Sequence, residues 1–349
     1  MKQLYSDVVQ FRGTHYEYGI MLGNQIKDSL VMKNRERIWK IRQPRFTVDQ
    51  QETKKMIKMY APGIWEEIEG LQDALKAPMQ IILRDFSGYR IPIERSGCSI
   101  VTGTDFMVRN YDFHPKTYEG RYHIYQPTDT GYATIGPAQR VTGRMDGMNE
   151  QGLVMGYNAI NRKKPGNGFV CWMIGRMLLE TCASVEEAVQ FLKEIPHRHS
   201  FSYVVLDPNE ETYIIETSPR KVAVRKGNAC TNHFETLHEE NRRYLVDSQN
   251  RLKTIIENRT TKYVEDAFRF MNDPHQNVFA KEYKSWAGTI HTSAYLPKEK
   301  QAWIALGESG EPVKFDFKGW VEGEDANIDS IKGEVDTEIG FAHMDDGLR

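Results

Sequence analysis

Gly97-Cys98-Ser99-Ile100-Val101-Thr102 is followed, eleven residues after the cysteine, by Arg109-Asn110-Tyr111-Asp112-Phe113. Together these segments hold a thiol, a guanidinium and a carboxylate, and the bond before the thiol is a Gly–Cys bond. Thr102-Gly103-Thr104-Asp105 is a turn signal between two apolar runs, because glycine supplies the positive φ of tight hairpins. A two-residue loop at Gly103-Thr104 sets Thr102 against Asp105 and Cys98 against Arg109. Opposed residues in a hairpin have Cβ atoms roughly 4.5–5.5 Å apart. A cation that close favours thiolate over thiol. Asp112, three residues past Arg109, falls on the other face unless the strand bends or bulges near Asn110 or Tyr111. The competing reading is an inert core cysteine, since Cys is among the most buried residue types.

Other residues carry two readings each. Asn158 ends an apolar strand, and Asn232 sits in Cys230-Thr231-Asn232-His233-Phe234. Each is a turn residue or a neutral donor suited to an oxyanion. Asp146-Gly147-Met148-Asn149-Glu150-Gln151-Gly152-Leu153 reads first as a hairpin connection. Ser248 can cap the helix that follows it. Arg251 is then an early helical residue that opposes the helix dipole, and a nearby carboxylate or a ligand role would rationalise it. His197-Arg198-His199 reads as a solvated loop, and His114, His233 and His291 as structural histidines. The sequence holds no metal-ligand set, no phosphate-cradling loop and no dinucleotide fingerprint, so no cofactor is expected. Tyr111 and Phe113 can enclose an acyl group.

These residues sit in a chain of 349 with a formal net charge of -2, 27% charged and 40% hydrophobic, ample for a large core. Near-neutral charge gives no reason to expect nucleic acid. The start reads as lacking a signal peptide, and no apolar stretch of about 18 residues exists to span a membrane. Cys98, Cys171, Cys182 and Cys230 are far apart, which reads as reduced thiols in a cytoplasmic protein. A strand is expected at Val8–Phe11, then helices over about 16–40 and about 50–75, the latter broken at Pro62-Gly63. From Cys98 the pattern changes to hairpins: 144–148 with 153–158, 203–206 with 212–215, and 289–295 with 302–306. Helices interrupt them over about 168–182, from a capping box at Ser184–Glu187, and over about 248–258 and 262–272. This predicts α+β layers of antiparallel sheet in one domain, with no linker to divide it. Residues 321–349 hold nine carboxylates against Lys332 and Arg349 and read as a solvated acidic tail.

Taken in order, these motifs resemble the N-terminal-nucleophile cysteine hydrolases that cleave linear amides, the penicillin acyltransferase-like and choloylglycine hydrolase group. Gly13-Thr14-His15-Tyr16-Glu17-Tyr18-Gly19 resembles the group's N-terminal segment, and Ser96-Gly97-Cys98-Ser99 its processing site. Arg109-Asn110-Tyr111-Asp112 resembles its RNxD motif. Asp146–Leu153 with Gly156-Tyr157-Asn158 resembles its central hairpin. Thr231-Asn232-His233-Phe234 and Ser248-Gln249-Asn250-Arg251 resemble its later motifs. The likeness covers about residues 8–307. It implies a four-layer αββα sandwich, with 1–97 a pre-nucleophile segment and 98–320 the nucleophile-bearing segment; the acidic tail, 321–349, lies outside it. It implies self-cleavage between Gly97 and Cys98, freeing an α-amine that acts as base beside the thiol. Carried over, Arg109 and Asp112 orient and tune Cys98, Asn232 with Asn158 or a backbone N–H holds the oxyanion, and Arg251 orders the pocket. The expected partner is a small amide or acyl substrate, with no nucleic acid and no membrane; a homo-oligomer is open. The leading activity is amide hydrolysis through a thioester. Acyl transfer to an amine, peptide-bond hydrolysis and a non-catalytic binding role stand as alternatives.

Overall fold

The computed structural model describes residues 1–42, 48–91, 97–160, 164–209, 211–241, 244–258, 262–284, 287–308 and 310–346. The chain opens with β1 (Lys2–Gly13), α1 (His15–Ile26), α2 (Leu30–Arg42), α3 (Gln50–Tyr60), α4 (Pro62–Leu75) and α5 (Met79–Phe86). Then come β2 (Gly97–Thr102), β3 (Met107–Phe113), β4 (Arg121–Pro127), β5 (Thr134–Gln139), β6 (Gly143–Arg144), β7 (Asp146–Asn149) and β8 (Val154–Ala159). The middle holds α6 (Cys171–Thr181), α7 (Val185–Glu194), β9 (Phe201–Leu206), β10 (Thr212–Thr217), β11 (Val222–Lys226) and β12 (Ala229–Cys230). The last part holds α8 (Val246–Glu257), α9 (Val264–Asn272), β13 (Lys281–Glu282), β14 (Ala287–Leu296), β15 (Gln301–Leu306), β16 (Val313–Asp316), α10 (Phe317–Val321) and β17 (Ser330–Val335).

Two sheets result. The larger runs β11-β10-β9-β8-β7-β5-β4-β1-β17, with β6 beside β5, and the smaller runs β12-β2-β3-β14-β15-β16, with β13 beside β14. Among these pairings only β1 with β4 is parallel. Strand alternation explains the layering, because successive side chains face opposite sides of a sheet. On β8, Val154 joins the core between the sheets, while Met155 and Tyr157 join the core under α1, α4, α6 and α7. On β2, Cys98 and Ile100 face the inter-sheet core, and Val101 faces Leu252 and Ile255 of α8 and Phe268 of α9. Three apolar interfaces therefore separate four layers, helix–sheet–sheet–helix, and the fold is the αββα sandwich.

Local chemistry accounts for most element ends. The expected helix over 16–40 is two helices, because Ser29 caps the second by accepting the Met32 N–H at 3.4 Å. Thr14 and Glu17 form a complete capping box on α1, whereas the Glu187 carboxylate takes the Ala183 N–H and only Ser184 caps α7. The short helix α5 went unread in the sequence; it buries Ile82, Leu83 and Phe86. The solvated-tail expectation is corrected. Residues 330–335 form an edge strand on β1, with Ile331 and Val335 buried between the sheets, and Phe341 is buried too. The alternation of Ile331, Gly333 and Val335 with Lys332 and Glu334 is what places it there.

A second polar cluster lies in the helical layer. Glycines let α1 and α4 touch: a Cβ on Gly19 would stand 2.1 Å from the Glu67 carbonyl oxygen, and one on Gly70 2.2 Å from that of Tyr16. This brings α1 and α4 against α6, where Arg176 bonds Glu67 at 2.8 Å and Glu180 at 2.5 Å, both buried. His15 lies 2.7 Å from Asp129 and 3.4 Å from Glu180. Burial opposes the imidazolium, but Glu180 outweighs it and lifts His15 to about 9. A histidine raised above its unfolded value stabilises fully below about pH 6.5 and loses that contribution as pH rises through about 9. We expect the urea midpoint to fall over that range, and the fall to be shallower in His15→Gln; equal slopes would remove His15 from the stability balance.

Candidate active site

The hairpin that carries the thiol has a different register from the one its turn residues suggest. Thr102 pairs with Met107, Ile100 with Arg109, Cys98 with Tyr111 and Gly97 with Asp112. The loop is Gly103–Phe106, closed by the Gly103 N–H on the Phe106 carbonyl at 2.9 Å. Two more residues enter the turn because Phe106 buries itself in the outer core beside α9. The expected opposition of Cys98 and Arg109 is therefore wrong by two residues, which keeps both on the same face. Both side chains still face the inter-sheet layer, and Arg109 reaches diagonally to put Nη2 3.3 Å from Cys98 Sγ. No bulge interrupts β2–β3; the register slips between β3 and β14, between Thr289 and His291. Asp112 stays on the outer face, as strand alternation requires.

Arg109 is fully buried, and its surroundings fix it. Nη1 donates to Asp146 Oδ2 at 2.5 Å and Nη2 to the Tyr157 carbonyl at 2.6 Å. The guanidinium carbon lies 4.9 Å from the Tyr111 ring centre and 5.0 Å from that of Tyr157. A Cβ on Gly156 would stand 3.1 Å from Arg109 Cδ, so this glycine gives the arginine stem its passage across β8. Asp146 also accepts from Ser293 Oγ at 2.8 Å and Tyr295 OH at 2.5 Å, and lies 3.4 Å from His291 Nε2. Burial opposes its charge, but Arg109 and these donors hold the carboxyl below its ordinary range. The sequence reading missed Asp146 as a site residue because Asp-Gly reads as a turn. The better signal was its place at the head of the central-hairpin motif.

Around the Cys98 backbone a second set converges. The Cys98 N–H donates to Asn232 Oδ1 at 2.9 Å, and Arg251 Nη2 donates to the same oxygen at 2.8 Å. Two donors on one atom fix the amide orientation, leaving Asn232 Nδ2 on the Ala159 carbonyl at 2.9 Å. Arg251 Nη1 holds the Cys98 carbonyl at 2.9 Å and Ser99 Oγ at 2.8 Å. Asp247, one turn earlier, lies 2.9 Å from Arg251 and is the carboxylate its position called for. Ser248 lies inside α8 and does not cap it; its Oγ accepts the Asn232 N–H at 2.8 Å. Asn158 is no turn residue: it lies within β8 and ties the two sheets through Nδ2 to the Cys230 carbonyl at 2.9 Å.

Asp112 accepts from Thr289 Oγ1 at 2.7 Å, while its Oδ2 is buried with no partner among the described residues. Burial pushes its carboxyl up to about 7, against the pull of Arg251, the Thr289 bond and Arg109. Cys98 is also fully buried, and burial raises its thiol despite Arg109. The expectation that Arg109 yields a thiolate is corrected for the uncut chain: desolvation outweighs the cation. Tyr111 and Phe113 stand in the inter-sheet core beside the thiol, their rings stacked at 5.3 Å, with His291 stacked on Tyr111 at 4.9 Å. Ser96 lies outside the described residues. Among the described residues no group of three His, Cys, Asp or Glu could hold a metal ion.

Comparison with known proteins adds a family. The family model for acyl-coenzyme A:6-aminopenicillanic acid acyl-transferase matches residues 101–311, more than half of the chain. No curated protein matches the sequence. Among solved structures, penicillin V acylase from Agrobacterium tumefaciens is similar at 14% identity and TM-score 0.42, over 64% of this chain and 86% of that one. A mutant of the conjugated bile acid hydrolase from Clostridium perfringens gives 12% and 0.43, over 70% and 100%. The Caenorhabditis elegans ortholog of N-acylethanolamine-hydrolyzing acid amidase gives 12% and 0.36, over 58% and 92%.

Removing one partner of a buried ion pair leaves an uncompensated charge and costs about 3–5 kcal/mol. We expect Asp146→Ala to lose stability on that scale in urea unfolding. A loss under about 1 kcal/mol would mean that Arg109 finds another partner or water.

Proposed function

The chain belongs to the acyl-coenzyme A:6-aminopenicillanic acid acyl-transferase family, and from that membership and the geometry at Cys98 we propose a self-processing cysteine amidohydrolase. It is an enzyme of the N-terminal-nucleophile group, acting by amide cleavage or acyl transfer. The observation that carries the finer reading is the Gly97–Cys98 bond itself. Its nitrogen donates to Asn232 Oδ1 at 2.9 Å, and the thiol that follows it is 3.3 Å from Arg109 Nη2.

In maturation, Cys98 Sγ attacks the Gly97 carbonyl carbon. The C–N bond breaks, the nitrogen takes the thiol proton, and a thioester links Gly97 to Cys98. Water opens the thioester, leaving a Gly97 carboxylate, a free thiol and a Cys98 α-amine. That amine has a reference pKa of about 7.7–8.0 and serves as base near neutral pH. In turnover the amine takes the Cys98 thiol proton, Sγ attacks the substrate amide, and the proton passes to the leaving amine. Water, deprotonated by the same amine, then releases the acid. Arg109 stabilises sulfur as it gains charge, and Asp112 faces the new ammonium with its free oxygen. Asn232 Nδ2, its amide oriented by Arg251 through Oδ1, supplies a donor to the oxyanion together with Asn158. Tyr111 and Phe113 enclose the acyl group. No cofactor enters. A cytoplasmic setting suits four free thiols, and no helix among the described residues is long and apolar enough to cross a membrane.

We expect intact-protein mass spectrometry of active enzyme to give one fragment ending at Gly97 and one beginning at Cys98. Cys98→Ala should stay whole and inactive. Full activity with every Gly97–Cys98 bond intact would sink the maturation step.

A second reading is favoured by the acyl-transferase for which the family is named: the thioester passes its acyl group to an amine. Partition depends on whether an amine is held better than water is admitted. We expect hydrolysis to dominate when an amide donor is incubated with a panel of amines and free acid is measured against new amide. Predominance of new amide at modest amine concentration would replace hydrolysis with transfer.

A further inference from the structure

The segment after β16 is bonded along its length to elements that precede Gly97. Strand β17 pairs with β1 from Lys2↔Val335 to Asp7↔Ser330, and the Val8 N–H continues the ladder onto the Asp329 carbonyl at 2.9 Å. Trp320 Nε1 donates to Gln10 Oε1 at 2.8 Å, and Arg12 lies 4.0 Å over the Trp320 ring while donating to the Trp320 and Glu324 carbonyls at 2.6 Å. Farther on, buried Asn34 donates through Nδ2 to the carbonyls of Ala342 at 3.0 Å and Asp345 at 2.9 Å. His343 Nε2 meets the Tyr5 carbonyl at 2.9 Å. Lys2 pairs with Asp345 at 2.9 Å.

Every partner on one side of this set precedes Gly97, and every partner on the other follows Asp316. Resting on the cut at Gly97–Cys98 proposed above, we propose that residues 317–346 are a clasp that retains the 1–97 fragment as a subunit after cleavage. The logic is that of an interface. Without β17, β1 is an edge strand held only by β4, and its outer amides face water. With β17, β1 is an interior strand, bonded on both sides to the other fragment. The ion pair at Lys2 is partly exposed and adds little. Within the clasp, the ladder, the Asn34 bonds and the burial of Ile331, Val335 and Phe341 do most of the holding, beside the contacts that α6 and β4 already give the 1–97 fragment. This gives the acidic segment a function, and its charge keeps its outer face soluble.

The test separates this proposal from the processing reading. A specific protease site is inserted between Ser96 and Gly97 in the Cys98→Ala chain, so that the cut is made by added protease whatever Cys98 does. The cut full-length protein is compared with one ending at Asp329, by size exclusion over a dilution series with the fragments identified by mass. We expect the truncated protein to lose the 1–97 fragment at a concentration at least about tenfold higher than the full-length one. Uncut, neither should lose it. The double substitution Asn34→Ala/Phe341→Ala keeps β17 and should shift the loss in the same direction, which covers a truncation that fails to fold. Equal retention by cut full-length and cut variant proteins would overturn the clasp. Absence of any self-cut in wild-type protein would instead overturn the processing reading.

Discussion

A guanidinium sealed between two sheets must be neutralised where it stands, because the cost of taking a lone ion out of water is several kcal/mol. Arg109 meets that constraint through Asp146, and much of the sandwich follows from it. Arg109, His291, Ser293 and Tyr295 come from the smaller sheet, and Asp146 from the larger. The pair therefore rivets the sheets at one depth and one register. Gly156 opens the passage, and the Tyr157 carbonyl closes the far side. Nη2, besides holding the Tyr157 carbonyl, points at sulfur. The thiol thus receives an oriented cation whose charge is already balanced.

Cys98 itself is not primed in the uncut chain. Its burial raises the thiol, and burial likewise lifts the Asp112 carboxyl to about 7. The proposed cut before Cys98 would add a titratable amine at the nitrogen that now donates to Asn232 Oδ1, next to the strand pair of Gly97 with Asp112. A new cation beside Asp112 would draw its carboxyl down, and a base beside the thiol would supply what desolvation withholds. On the proposed processing, the site would be completed by a group that the intact chain does not contain.

The sequence announced the layers but not every position within them. The hairpin pattern from Cys98 onward carried the α+β layers and the family resemblance the αββα sandwich, and the ordered short motifs singled out Arg251 and Asn232 although they lie far from Cys98 in the chain. The hairpin register was hidden because Gly103-Thr104 is a good two-residue turn by itself; only the outer core needs Phe106, and that core is built from α8 and α9, far along the chain. Asp146 was hidden by the turn propensity of Asp-Gly, since nothing local says that an arginine will arrive from another sheet. The 330–335 strand was hidden by composition: nine carboxylates over the tail outweighed a short alternation of Ile331, Gly333 and Val335.

The pairing of β1 between β4 and β17 also sets an order in time. Strand β1 leaves the ribosome first, finds its parallel partner β4 only after the nucleophile strand has been made, and waits for β17 until nearly all of the chain has emerged. Such non-local pairing is slow to form, because a long loop must close before any contact rewards it. During that wait the covalent link through Gly97 is what keeps β1 at high local concentration. On the proposed processing, a thiol kept neutral by burial, in a site that the finished sandwich assembles, would make peptide cleavage a late event, after the tether has ceased to be needed.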